Sequence, residues 1–454
     1  MNDRRIKWVG PLFLGVWGAW AAVAESQEEI RLPRSLAEQE PPGPARPPQD
    51  PARQGKPVEP DKPRTPAQER RQELEAKPDE TSFYPIPAIA SGKNEGWTFG
   101  LLGALLLPDE HGDIDKVFSA AIQYRSKVKF NGFGDFRWTF SPYSVLEAYS
   151  YWAQEIENEN QFFFDDRRLW GDYNFRFDFD EKRVGTERFF GTGPTSKKQE
   201  ESAYTSNSYL AQVRFGPYIA DRLSLQGTFR FRHFRVSESL LTDLPQMLDL
   251  FPTEFGIQGG EVYATGARLF YDTRNSLFTP TNGEIALVYA EVAHYVEGGV
   301  AHPFQAYGFE LEKLWPHGDD AQFVFVGRVK AQFVVGAAPF WEQSTLGGGS
   351  TLRSYGPNRF TDNDAWVINL EERIRLFTLR LEGVTGEVQV APFVDFGEVF
   401  GHSQDVARFD VDRRVHWSAG SGFRAVVQPY IVGRMDVGYG AEGLGITIGL
   451  DYPF

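Results

Sequence analysis

The sequence predicts an all-β protein, a 16-stranded antiparallel transmembrane β-barrel. Its alternating runs are commonly ten residues or longer, whereas strands average about 5–6 residues in soluble sheets and about 9–11 in membrane barrels. Aromatic residues gather toward strand ends, as at Trp97, Trp315 and Tyr439, where membrane barrels carry interfacial girdles. The long connections follow odd-numbered strands, which places them all on one rim, as in an outer-membrane barrel.

Residues 1–24 are predicted to be a secretory signal peptide. Arg4, Arg5 and Lys7 precede an apolar run, and Ala22 and Ala24 supply the small residues of a cleavage site. The alternative is an uncleaved membrane anchor, but the apolar run is short for a spanning helix. We therefore expect a cleaved signal and a mature chain that works outside the cytoplasm.

Residues 25–82 are predicted to be a disordered periplasmic linker. Between Glu25 and Glu80 lie 12 of the 29 prolines and no Phe, Tyr or Trp. Such a segment buries too little apolar surface to offset its ordering entropy. It is either a plain spacer or a docking strip for a periplasmic partner, and the sequence leaves both open.

Composition excludes several function classes. The 454 residues carry a formal net charge of −15 and include no cysteine. Disulfides and cysteine-based chemistry are therefore excluded, and the acidic balance argues against nucleic acid as a partner. The seven histidines show no metal-ligand spacing, and no serine has a placed base. We expect no metal, no cofactor and no enzymatic activity; an outer-membrane hydrolase is a weakly motivated alternative.

Two-residue alternation fills residues 83–454, the predicted barrel. In the segment 223–232, Leu225 and Phe229 fall on one face and Arg230 and Arg232 on the other. The long connections are predicted near 178–202, 237–259, 336–363 and 401–414. The sixteen strands are predicted to begin near Gly96, Lys116, Gly132, Val145, Asp165, Ala203, Leu223, Gly260, Asn282, Pro303, Ala321, Asp364, Gly386, Val415, Tyr430 and Leu444.

Five motifs in this region resemble the outer-membrane barrel superfamily typified by BamA, TamA and two-partner secretion transporters, also called the bacterial surface antigen family. The resemblance implies an outer-membrane barrel of a Gram-negative bacterium. It also implies an inward-folded loop between strands 11 and 12. The motifs are FFGTG ending at Gly193, YDTR ending at Arg274 and followed by Pro280 and Gly283, GGGSTLRSY ending at Tyr355, NLEER ending at Arg373, and FVDFG ending at Gly397.

The resemblance assigns roles to three groups of residues. The loop group is Gly347, Gly348, Gly349, Leu352, Arg353, Ser354 and Tyr355; the strand 8 group is Asp272, Arg274, Pro280 and Gly283; the group resembling a C-terminal assembly signal is Tyr452 and Phe454. Ser354 departs from the family, which usually has glycine there. The proline-rich segment departs as well, because it cannot form the folded periplasmic POTRA modules, which indicates a POTRA-less branch.

Strand parity supplies partners for the loop arginine. It turns Glu371 of strand 12 and Asp395 of strand 13 inward, on neighbouring strands. We expect Arg353 to bridge both carboxylates, with Tyr355 packed beside it. Glu372 points outward unless it lies at a rim or a bulge. The alternative role for the loop is a plug that only rigidifies the barrel.

For function, the resemblance implies insertion or translocation of polypeptides (or lipids) at the outer membrane. The alternative is a passive small-solute pore or a structural surface-antigen barrel without insertase activity. Expected partners are outer-membrane lipid, the barrel-assembly machinery for the protein's own insertion, and a periplasmic partner of the linker.

Overall fold

The computed structural model describes residues 7–8, 82–92, 96–109, 114–125, 129–141, 143–154, 157–276, 278–381, 384–401, 413–428 and 431–454. The predicted signal peptide and linker lie outside the described residues, apart from Lys7, Trp8 and Ser82. Within the described ranges, no helix is both long and apolar enough to cross a membrane.

In the part of the chain that the structure describes, eighteen long strands form one antiparallel sheet in which each strand is hydrogen-bonded to the next in the chain. With Lys7–Trp8, which pairs in parallel with Ser82 and Phe83, the sheet has 19 strands. The long strands are β1 (Ser82–Gly92), β2 (Gly96–Pro108), β3 (Ile114–Arg125), β4 (Lys129–Ser141), β5 (Ser144–Ala153), β6 (Asn158–Leu169), β7 (Tyr173–Phe189), β8 (Ser202–Ala220), β9 (Leu223–Glu238), β10 (Gly260–Asp272), β11 (Gly283–Glu297), β12 (Val300–His317), β13 (Phe323–Gly336), β14 (Asp364–Leu381), β15 (Val384–Phe400), β16 (His416–Gln428), β17 (Ile431–Gly440) and β18 (Gly443–Leu450).

Little else is regular. A second sheet pairs Ser344–Leu346 with Phe360–Asp362. Among the described residues, helical structure is confined to the one-turn helix α1 (Met247–Leu250) and three short 3₁₀ turns, Lys198–Glu200, Asp319–Ala321 and Phe340–Glu342.

The all-β, antiparallel prediction is confirmed, but the count of sixteen strands is wrong, because β1 and β7 were missed. In β1, Pro85 and Pro87 look like strand breakers, yet prolines are tolerated on edge strands. At these two prolines the described ladder of β1 is with β2 alone. In β7, a run of charges looks like a solvated loop. Those charges are neutralised in the sheet instead, as where Nζ of Lys182 lies 2.7 Å from Glu159.

The two faces of the sheet differ as the alternation predicts. One face, here called the outer face, exposes large apolar side chains; Phe229 is 53% exposed and Trp138 is 38% exposed. The other face, here called the inner face, buries polar and charged groups such as Arg214, Arg328 and Glu371. A soluble sandwich would bury the apolar face, so the sheet has the opposite sense to a sandwich.

The long connections lie on one rim, as predicted. They follow β7, β9, β13 and β15 and comprise residues 190–201, 239–259, 337–363 and 401–415. The first is shorter than predicted because β7 occupies much of 178–202. Connections after even strands are shorter, the longest being 273–282. We call these edges the long-loop rim and the short-turn rim.

At the long-loop rim, an aromatic cluster packs over the inner face. Trp341 stacks on Phe234 with 4.8 Å between ring centroids. Beneath it, Glu342 accepts hydrogen bonds from Arg230 at 3.0 and 2.7 Å and from Arg232 at 3.1 Å. Burial acts to raise the pKa of Glu342, but the two guanidinium groups outweigh it and lower that pKa overall. The connection 337–363, here called the inner loop, is thus anchored at its start.

Candidate functional site

The tip of the inner loop is shaped by its glycines. Gly347 has a φ of +122°, and a Cβ there would lie 2.2 Å from the carbonyl oxygen of Gly356. Gly348 also has a positive φ, and its N–H donates to the carbonyl oxygen of Tyr355 at 3.2 Å. Gly349 has no room for a side chain, because its Cβ would lie 2.7 Å from Cγ2 of Thr447. The turn therefore requires glycine at each of these positions.

Apolar residues of the loop tip form a small core against the sheet. Leu352 is fully buried and Tyr355 nearly so, in a cluster with Phe360, Val367 and Val399. The rings of Tyr355 and Phe360 meet edge to face at 5.2 Å. This packing holds the backbone of the loop against β14 and β15.

Arg353 lies against the inner face, bound to the two carboxylates that parity selected. Its Nε and Nη2 donate to the two oxygens of Asp395 at 3.1 and 2.8 Å, and its backbone N–H donates to the same carboxylate at 3.1 Å. Its Nη1 donates to Glu371. All three side chains are fully shielded from solvent, so the structure brings Arg353, Asp395 and Glu371 together as expected.

The charge cluster extends beyond this predicted group. Nη2 of Arg424 on β16 donates to Glu371 at 3.0 Å and lies 2.7 Å from Asp436. Nε of Arg373 donates to the other oxygen of Glu371 at 3.0 Å. Arg434 pairs with Asp436 at 3.0 Å. Within the described part of the chain, each carboxylate here meets at least one guanidinium, which a buried charge requires.

Aromatic rings cover the guanidinium planes. The Cζ atom of Arg353 lies 3.5 Å from the ring centroid of Phe393 and 5.4 Å from that of Phe454. Arg373 lies 3.6 Å above the ring of Tyr452 and donates to the main-chain oxygen of Phe454 at 3.2 Å. Tyr452 and Phe454 are thus buried on the inner face, and the proposed assembly-signal role for them stays a prediction.

Ser354, where the family usually has glycine, occupies a groove lined by glycines of the last strands. A Cβ at Gly440 would lie 2.4 Å from the hydroxyl oxygen of Ser354, and a Cβ at Gly445 would lie 2.5 Å from the carbonyl oxygen of Ser354. The hydroxyl is 2.7 Å from that of Ser418, which also accepts the Ser354 N–H at 3.0 Å. The serine therefore fits because β17 and β18 leave room and β16 supplies a partner.

The strand 8 motif, now the end of β10, lies on the short-turn rim. Asp272 accepts three hydrogen bonds from Arg274, one from its backbone N–H at 3.0 Å and two from its guanidinium at 3.2 and 2.9 Å. A Cβ at Gly283 would lie 2.4 Å from a backbone oxygen. The carbonyl oxygen of Pro280 accepts from Arg373 at 3.5 Å. The motif thus closes a turn and touches the charge cluster through Arg373.

Glu372 lies near a rim of the sheet, which is one of the two exceptions expected for an outward-pointing carboxylate. It lies 3.3 Å from Nε2 of His317, which ends β12 at the short-turn rim, and the ladder between β14 and β15 shifts register after Arg375.

Two residues of the site, Arg424 and Ser418, are not among those predicted from the sequence, although the alternation of β16 would have turned both toward the inner face.

This site is built from ion pairs, packed rings and close backbone contacts. Among the described residues, no group of three His, Cys, Asp or Glu is placed to hold a metal ion. What the arrangement can do is hold one loop on five strands, β14 to β18, through contacts that would all break together if the loop left.

Comparison with known proteins identifies similar chains. The model of the Omp85 superfamily domain matches residues 153–441. Among curated proteins no sequence match is found. BamA from Haemophilus ducreyi lacking POTRA domains 1–3 is 13% identical with a TM-score of 0.48, over 84% of this chain and 75% of that one.

Two CdiB structures are also similar. CdiB from Escherichia coli is 12% identical with a TM-score of 0.43, over 81% of this chain and 61% of that one. CdiB from Acinetobacter baumannii is 11% identical with a TM-score of 0.39, over 81% of this chain and 59% of that one. This chain therefore spans about three fifths of the length of each CdiB.

Proposed function

The chain belongs to the Omp85 superfamily, and we propose that it is a closed outer-membrane β-barrel that aids insertion or translocation of polypeptides or lipids. Its location is the outer membrane of a Gram-negative bacterium, reached through a cleaved signal peptide. Its partners are outer-membrane lipid, the machinery that assembles the barrel itself, and a periplasmic partner of the linker.

The observation that carries the proposal is the meeting of β1 and β18. Their Cα atoms come within 8 Å of each other, yet among the described residues no backbone ladder joins them, whereas every other pair of neighbouring long strands has one. Pro85 and Pro87 lack N–H groups and have the same parity, so one edge of β1 loses two donors. A seam with few backbone hydrogen bonds is the place where a barrel opens at least cost.

The inner loop is the second support. Arg353 holds the loop to β14 and β15, while Ser354 fills the groove of β17 and β18. Arg434 on β17 also donates to the carbonyl oxygen of Gly349 at 3.0 Å. The seated loop therefore braces the strands that lead to the seam, and its release would free them to move.

A disulfide tests whether the loop must move. The hydroxyl oxygens of Ser354 and Ser418 are 2.7 Å apart, and the native chain has no cysteine, so Ser354→Cys with Ser418→Cys introduces a single cross-link. We expect the oxidised double variant to lose export or insertion activity and to regain it on reduction. Each single cysteine variant, treated with the same oxidant, is the control. Full activity of the oxidised variant would rule out loop release as a step.

Depletion separates the proposal from the rival class, a passive pore or structural barrel. If the protein assists insertion or export, depletion removes particular outer-membrane or exported proteins while small-solute uptake is unchanged. A normal protein profile with altered solute uptake would instead establish the pore, and a normal result in both assays would establish a structural role.

A further inference from the structure

A second cluster of arginines lies on the inner face, on β7, β8 and β10. Arg176 on β7 and Arg214 on β8 are direct cross-strand neighbours, a placement in which like charges repel. They share one carboxylate: Nε of Arg176 donates to Asp178 at 2.7 Å, and Arg214 donates to the other oxygen of Asp178. Asp165 lies farther from Arg176, at 3.8 Å. Asp178 and Asp165 are therefore already engaged by charged groups of the first two arginines.

A third arginine, Arg268 on β10, receives no acid. It is 7% exposed, and within the described residues its guanidinium has no carboxylate, carbonyl or amide partner at hydrogen-bond distance; its Nε is fully buried. Its guanidinium lies over the ring of Phe270, whose centroid is 4.7 Å from Cζ. Arg268 lies two strands from Arg214, because Gln226 on β9 is the register partner of Arg268 and Thr228, two residues farther along β9, is the register partner of Arg214. An arginine in this position is repelled and unpaired, which is costly for a buried charge.

The cluster opens into a cavity of about 620 Å³ on the inner face. Arg176, Arg214 and Arg268 all line it. Apolar side chains line it next to them, including Phe270 and Leu287. Since each arginine lies within a few residues of a strand end at the short-turn rim, the cluster occupies the part of the cavity near that rim. Other charged side chains, among them Glu312 and Glu342, line the cavity as well.

We propose that this cavity binds a phosphate group carried by an amphiphile, with Arg268 as its principal ligand. A guanidinium presents paired N–H donors that match the oxygens of an oxyanion. Three guanidinium groups facing one cavity suit a tetrahedral phosphate, which offers oxygens in several directions. The planar carboxylate of Asp178 already serves the first two arginines. The apolar lining beside the cluster suits an acyl chain attached to that phosphate.

The test uses the purified full chain in detergent micelles, titrated calorimetrically at constant ionic strength. The probes are inorganic phosphate and dihexanoylphosphatidic acid. We expect saturable binding, weakened at least about ten-fold in Arg268→Gln, because the variant loses charge-assisted hydrogen bonds to the anion. Arg268→Lys keeps the charge without the fork and should bind with intermediate affinity. Arg375 lies outside the cluster and pairs with Asp320 at 3.1 Å and Glu387 at 3.5 Å. Arg375→Gln therefore removes the same charge elsewhere and should bind like the unaltered protein.

The two probes separate the sources of the phosphate. Tighter binding of the phosphatidic acid identifies a lipid headgroup, whereas equal binding identifies the free anion; the second result overturns the amphiphile and keeps the phosphate site. No saturable binding of either probe, or the same affinity in Arg268→Gln, overturns the site altogether.

Thermal unfolding without any phosphate supplies a second readout. Arg268→Gln should be at least as stable as the unaltered protein, because it removes an unpaired charge; a marked loss would show that Arg268 is structural and contradict the proposal. Phosphate binding is independent of polypeptide transport, so either can fail while the other stands.

Discussion

Replacing Arg353 by alanine should destabilise the protein and release the inner loop. Asp395 would lose two side-chain hydrogen bonds and keep only the backbone N–H of residue 353 and Nδ2 of Asn369, at 3.1 and 2.9 Å. Glu371 would keep Arg373 and Arg424, both at 3.0 Å. Breaking a buried pair typically costs about 3–5 kcal/mol. Because one of the two acids stays neutralised, we expect a loss near the lower end, about 3 kcal/mol.

The assay is urea unfolding of the purified protein in detergent, read by the mobility of the unheated protein in gels, together with limited proteolysis of the loop. Arg353→Ala should unfold at lower urea and be cleaved within 337–363. Adding Asp395→Asn should recover part of the loss, since it removes the stranded charge. Arg375→Ala, which breaks the partly exposed pair with Asp320, should cost only about 0–1 kcal/mol. Unchanged unfolding and unchanged cleavage in Arg353→Ala would refute the assignment of this ion pair.

Three further predictions concern the seating of the loop. Gly445→Ala should cost about 1–3 kcal/mol and expose the loop to protease, because its Cβ would meet the Ser354 backbone. Gly227→Ala, where the nearest neighbour of an added Cβ is at 3.8 Å, is the control and should be cleaved like the unaltered protein. Equal cleavage of both variants would contradict the packing of Ser354 in the glycine groove. Ser354→Gly should lose about 0.5–1.5 kcal/mol in urea unfolding, because the hydroxyl contact with Ser418 disappears, and a gain in stability would show that the family glycine fits better. Glu342 has a pKa in the folded protein below its ordinary 4.5, so its stabilisation is present above pH 4.5 and is lost as the pH falls through the lowered pKa. Fluorescence of the adjacent tryptophan should therefore be constant from pH 7 to 5 and change only under stronger acid, whereas Glu342→Gln should be perturbed at every pH. A change in the fluorescence of the native protein between pH 7 and 5 would refute the assignment.

Part of the site could be read from the sequence because strand parity is a local property. Successive side chains point to opposite faces, so the placement of Glu371 and Asp395 on the inner face follows from their immediate neighbours. The rim of the long connections follows from the alternating direction of successive antiparallel strands. The predicted count omits two strands, an even number, so the long connections still follow odd-numbered strands. Parity does not depend on the exact strand count.

Other features were hidden because local composition misleads. The charged residues of β7 are typical of a solvated loop, but in the folded sheet carboxylates and cations of β6 and β8 lie beside them. The prolines of β1 resemble a strand break, but at Pro85 and Pro87 the described ladder of β1 is with β2 alone, and Lys7–Trp8 pairs only with Ser82 and Phe83. In both cases the deciding neighbour belongs to another strand, which composition within a window does not contain.

The sequence by itself therefore determined the β class, the apolar outer face, the rim of the long loops and the inward direction of the acids that Arg353 meets. Only the tertiary structure decided which distant groups share a space with them. Ser354 and Ser418 are 64 residues apart and touch because the inner loop crosses from β14 to β18. Among the described residues Arg268 has no acid at hydrogen-bond distance, whereas Asp178 accepts from the arginines of β7 and β8. Alternation follows from backbone geometry over a few residues, whereas these contacts depend on the curvature of the whole sheet and the path of a 27-residue loop.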